Sequence, residues 1–76
     1  MEHHTVYLIH PLEVSDPAPE YVDGYNDQSQ AVRLCFEVGK GSWQPEEARS
    51  ALVYANTDTR ISIPMRNIAM VEVSED

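Results

Sequence analysis

Residues 50–73 constrain the fold of this chain more than any other stretch. Ser50-Ala51-Leu52-Val53-Tyr54-Ala55 is β-branched and aromatic at its centre, Asn56-Thr57-Asp58-Thr59 is turn-forming, and Arg60-Ile61-Ser62-Ile63 alternates polar with apolar. Two such runs around a short turn predict a β-hairpin. Pro64 lacks a backbone donor and ends the second run. Met65-Arg66-Asn67 fits one 3₁₀ step. Ile68 to Val73 then alternates again as a closing strand, with Ala69, Val71 and Val73 on one face.

Upstream, Thr5-Val6-Tyr7-Leu8-Ile9-His10 reads as a first strand covered on both faces and ended by Pro11. Ala31 to Val38 is the cleanest strand. Val32, Leu34, Phe36 and Val38 point one way, and Arg33, Cys35 and Glu37 point the other. Gly39-Lys40-Gly41-Ser42 stops it. Between these strands, Pro11, Pro17, Pro19, Gly24 and Asn26 give turn chemistry from Pro11 to Gln30, with room for a short strand around Glu20 to Val22. Loops this long tend to carry function.

Residues 43–55 admit two readings. Pro45-Glu46-Glu47-Ala48-Arg49 has proline and acids where a helix starts. Either one helical turn precedes the hairpin, or a full helix spans 45–55 with a stripe of Ala48, Ala51, Leu52 and Ala55. The strand character of Leu52-Val53-Tyr54 favours the first. The expected fold is therefore mainly β, about five strands with one short helical turn. The alternative is α+β, with a helix at 45–55 packed on an antiparallel sheet.

The order of strand, long acidic loop, strand, turn-rich link, hairpin, 3₁₀ step and final strand resembles a small SH3-like barrel. Ile63-Pro64-Met65-Arg66-Asn67-Ile68-Ala69-Met70-Val71 is similar to the Pro-x-Asn stretch that forms the 3₁₀ turn and last strand of SH3 domains, with one extra residue between proline and asparagine. The family's Ala-Leu-Tyr-Asp-Tyr signature is absent, its paired tryptophans are reduced to Trp43, and Ile68 stands where a tyrosine usually follows the asparagine. The resemblance implies the barrel and not the proline-rich ligand, since fold alone licenses no function.

Seventy-six residues make one domain, 1–76. A chain of this size hides only about 60% of the surface its unfolded form exposes, so a bound partner or a second copy adds useful stability. Cys35 is the only cysteine, which excludes an internal disulfide and suits a reducing compartment. No apolar run approaches the roughly 20 residues that span a bilayer, and no basic region opens the chain as in a signal peptide. The expected location is cytoplasmic, including a host's cytoplasm.

The formal charge is −8, from 13 acids against 5 bases, and it is unevenly placed. Glu2, Glu13, Asp16, Glu20, Asp23 and Asp27 precede the first base, Arg33. A surface of this sign repels phosphate backbones and anionic membranes and attracts basic proteins. The plainer reading is that acidity keeps a small domain soluble.

The candidate partner-binding residues are therefore Glu13, Asp16, Glu20, Asp23 and Asp27, with Tyr21, Tyr25 and Trp43 as anchors. Each aromatic has a competing role: either tyrosine can fold back onto the core, and a sole tryptophan is often the largest packing element. His3 and His4 sit on a terminus expected to fray, and with His10 and Cys35 they match no metal-ligand spacing. Cys35 lies between Arg33 and Glu37 without a nearby base, which reads as a structural thiol. Arg49, Arg60 and Arg66 are expected to pair with Asp58 or Glu72, or to form a basic patch. No catalytic residue, cofactor or metal is expected.

These features point to a small acidic interaction domain, of the kind carried by phages and mobile elements, that binds and inhibits a basic, nucleic-acid-handling host protein. The other function they fit is a structural subunit that oligomerises through strand edges, where Met70, Tyr54 and Leu52 need cover.

Overall fold

The computed structural model describes residues 2–39, 43–55 and 60–75. The expected turn at 56–59 and the Lys40-Gly41-Ser42 stop lie outside them. Seven strands follow in order: β1 (Glu2–Leu12), β2 (Val22–Tyr25), β3 (Ala31–Val38), β4 (Trp43–Glu46), β5 (Ala51–Ala55), β6 (Arg60–Pro64) and β7 (Ile68–Glu75). Two 3₁₀ turns, Glu47–Arg49 and Met65–Asn67, precede β5 and β7. The mainly β expectation holds, with seven strands in place of about five. They form two antiparallel sheets, β2-β3-β1-β7 and β4-β5-β6, which do not close into a barrel.

The 45–55 helix is overturned. Pro45 pairs with Leu52 inside a β4–β5 hairpin, so the helical signal collapses to the single turn Glu47–Arg49. Ser50, at φ 49°, reverses the chain there, and its carbonyl accepts from the Met65 N–H at 2.9 Å. The expected β5–β6 hairpin is present, with Leu52 opposite Ile63 and Tyr54 opposite Ile61.

β1 is longer than its apolar run at both ends. His4 is no frayed residue: it is 1% exposed, set between Phe36 of β3 and Val73 of β7. β1 stays in register with β3 from Glu2 to Tyr7 and then skips ahead to Leu12 opposite Ala31. Across that break the His10 backbone lacks a β3 partner and bonds the Asn67 side chain instead. Asn67 Oδ1 accepts from the His10 N–H at 2.6 Å, and Asn67 Nδ2 donates to the His10 carbonyl at 3.2 Å. Buried main-chain groups need such partners.

The core lies between the sheets. Val6, Ala31, Leu34 and Val38 from one meet Leu52, Tyr54 and Ile63 from the other. Leu52 and Tyr54 thus fill the core rather than an outer face, whereas Met70 is 51% exposed. Ile68 and Val71 pack against this core. The expected Ala69-Val71-Val73 face is broken by a bulge, because Tyr7 pairs with Met70 and Leu8 with Ile68, leaving Ala69 as the extra residue.

Candidate protein-interaction surface

Five rings run through the interior from one sheet to the other. Tyr21 stacks on Phe36 at 5.4 Å, Phe36 on Tyr54 at 4.2 Å and 7°, and Tyr54 faces Trp43 at 6.3 Å. His4 meets Tyr54 edge-on at 5.6 Å and Trp43 at 4.8 Å. Each such pair adds about 0.5–1.5 kcal/mol beyond the area it buries. Tyr21 and Trp43, both expected as anchors, are the two ends of this ladder. Trp43 keeps 40% of its surface exposed.

His4 is fixed from both sides. Its Nε2 lies 3.3 Å from Glu2 Oε1 and its Nδ1 lies 2.9 Å from the Tyr54 hydroxyl. A carboxylate only accepts, so Nε2 carries the proton, and the Tyr54 hydroxyl donates to Nδ1. A carboxylate–imidazole–hydroxyl chain can activate a nucleophile. Here the tyrosine is 3% exposed, and burial pushes its phenol from 10.0 up to about 12. The chain retains the hydroxyl proton and serves as a strut.

The acidic groups lie on the segments before and after β2. Glu13, Asp16, Glu20 and Asp27 are all exposed, and Tyr25 is 50% exposed. The two segments are tied together. Asn26 Oδ1 accepts from the Gln28 and Gln30 N–H groups at 3.0 Å, and Gln30 Nε2 donates to Glu13 Oε1. Among the described residues, none of Glu13, Asp16, Glu20 and Asp27 has an ion-pair partner. Asp23 differs: Arg33 binds its carboxylate at 3.0 Å and its carbonyl at 2.9 Å. Gly24 permits this approach, since a Cβ there would lie 3.1 Å from Arg33 Cζ.

Two of the arginines converge on one carboxylate. Arg49 and Arg60 both reach Glu46, at 3.2 and 3.1 Å, rather than Glu72, and the expected pairing with Asp58 lies outside the described residues. Cys35 is half-buried, with the Thr5 hydroxyl 3.9 Å from its sulfur. No metal-ligand cluster occurs among the described residues, and no helix is long and apolar enough to cross a membrane.

Reading the sequence missed His4 and the Asp23–Arg33 pair. The signal for His4 was the period-two alternation of Glu2, His4 and Val6, which extends the strand upstream of Thr5. The signal for the ion pair was Gly24 beside Asp23 in a segment read as a turn.

The chain matches no protein-family model, no curated protein and no solved structure.

Proposed function

We propose that this domain binds a protein with a basic surface through Glu13, Asp16, Glu20 and Asp27, with Tyr25 as the aromatic anchor. The observation that carries this reading is how the arginines are used. Arg33 is committed to Asp23, and Arg49 and Arg60 to Glu46, and among the described residues no cation pairs with these four exposed carboxylates. Exposed charges of one sign steer an oppositely charged partner and speed its association.

The partner class is inferred from the acidic composition of these loop segments. Carboxylates held there can take the places of phosphates opposite lysines and arginines. The partner is then a nucleic-acid-handling protein, and the outcome is inhibition by covering its binding surface. Such a mode suits an accessory protein of a phage or mobile element.

Isothermal titration against basic nucleic-acid-handling proteins tests the reading. Binding should weaken steeply between about 50 and 500 mM salt, because exposed charges are screened over a few ångströms at the upper end. Binding indifferent to salt, or none at all, overturns it.

A further inference from the structure

The two sheets present four edge strands, β2, β7, β4 and β6. Three of them carry features that discourage pairing. β2 has four residues and two register breaks. β4 has Pro45 within its four residues. β6 opens on the exposed Arg60 and ends at Pro64. Short length, irregular register, proline and positive charge are the usual means of blunting an edge.

β7 carries none of these beyond its first turn of pairing. From Met70 to Glu75 it runs in unbroken register against Tyr7 to Glu2, and the bulge at Ala69 lies outside that stretch. No proline, glycine, lysine or arginine interrupts Ile68–Glu75. Among the described residues, no backbone hydrogen bond reaches its far side. Met70, 51% exposed, and Val73, 53% exposed, stand on opposite faces of this edge.

We propose that the far edge of β7 is a strand-addition site for an extended, basic segment of a partner protein. The main chain of that segment would satisfy the open N–H and C=O groups, as in other strand-addition complexes. Alternation sets its side chains. Basic residues face the side of Glu72, beside Met70 and Ser74. Apolar residues face the side of Val71 and Val73, where they extend the core.

Charge decides between this occupant and a second copy of the chain. β7 carries Glu72 and Glu75 with no base, and Glu2 lies opposite Glu75. Pairing two such edges would gather like charges from chains of −8 each. A basic segment reverses the sign of that interaction. The proposal shares the partner's positive charge with the acidic-loop reading but uses other residues, so the two can fail separately.

The test uses the full chain and a capped octapeptide alternating lysine and valine, followed by amide NMR and hydrogen exchange. Saturable binding should slow exchange at alternate amides from Met70 to Glu75. Glu72→Gln should weaken it about threefold and Glu72→Lys about tenfold, whereas Asp27→Asn should leave it unchanged. Shifts confined to residues 13–30 would overturn the β7 site while leaving the loop reading intact. A glutamate–valine octapeptide binding equally well would overturn the charge assignment. So would a free protein that sediments as a dimer with these amides already protected. Absence of saturable binding up to about 1 mM would overturn the proposal outright, because that is the weak limit of a specific contact.

Discussion

The Tyr54 hydroxyl donates to His4 Nδ1 at 2.9 Å across 50 positions of chain, and the bond ties the two sheets together. Tyr54→Phe keeps the stack on Phe36 but leaves the buried Nδ1 without a donor. An orphaned buried acceptor costs about 1–3 kcal/mol. The urea midpoint should fall accordingly with the slope unchanged.

The same tyrosine sets an alkaline limit. Its folded phenol holds its proton up to about 12, against 10.0 when unfolded. The raised value means the contribution is complete below pH 10 and is lost as pH climbs toward 12. Two pH units correspond to about 2–3 kcal/mol by linkage. Urea melts from about pH 9 to 12 should show this decline, and Tyr54→Phe should lack its share of it.

Asn67 replaces a strand partner for His10 where β1 leaves β3. Asn67→Ala strands a main-chain N–H and C=O that are partly buried. We expect a loss of about 1–3 kcal/mol, with amide exchange accelerating first at His10. Asn67→Asp should restore only the N–H bond, because a carboxylate does not donate to the carbonyl.

Ser50 holds a left-handed conformation, φ 49° and ψ 49°, between the turn Glu47–Arg49 and β5. Glycine adopts this region without a Cβ penalty. Ser50→Gly should raise stability by about 0.5–1 kcal/mol, read as a higher melting temperature. Gly24 is the reverse case. Gly24→Ala must displace Arg33 by a few tenths of an ångström, and faster solvent exchange of the Arg33 Nε–H would report the loosened contact with Asp23.

Much of the fold was legible because the local pattern and the burial agree. β3 runs from Ala31 to Val38 as its alternation required, and the Leu52–Ile63 hairpin forms as its turn residues required. The legible parts stop where tertiary contacts override local chemistry. Pro45 and the acids after it announce a helix, yet Pro45 lies in β4, where the edge asks nothing of its missing donor. Ala69 alternates with Val71 in sequence, but the bulge opposite Tyr7 and Leu8 hands its place to Ile68. The acidic surface was visible as composition. Which carboxylates remain free was not, because Arg33 lies ten positions from Asp23 and reaches it only across paired strands.

The central claim is that the placement of Glu13, Asp16, Glu20 and Asp27, not the total charge, creates the attraction for basic proteins. Two variants of equal net charge test it most directly. One carries Glu13→Gln, Asp16→Asn, Glu20→Gln and Asp27→Asn; the other carries Glu37→Gln, Glu47→Gln, Asp58→Asn and Asp76→Asn, which lie outside both proposed sites. Titrated against the same basic nucleic-acid-handling protein at low salt, the first should lose affinity about tenfold more than the second. Equal losses would contradict the account.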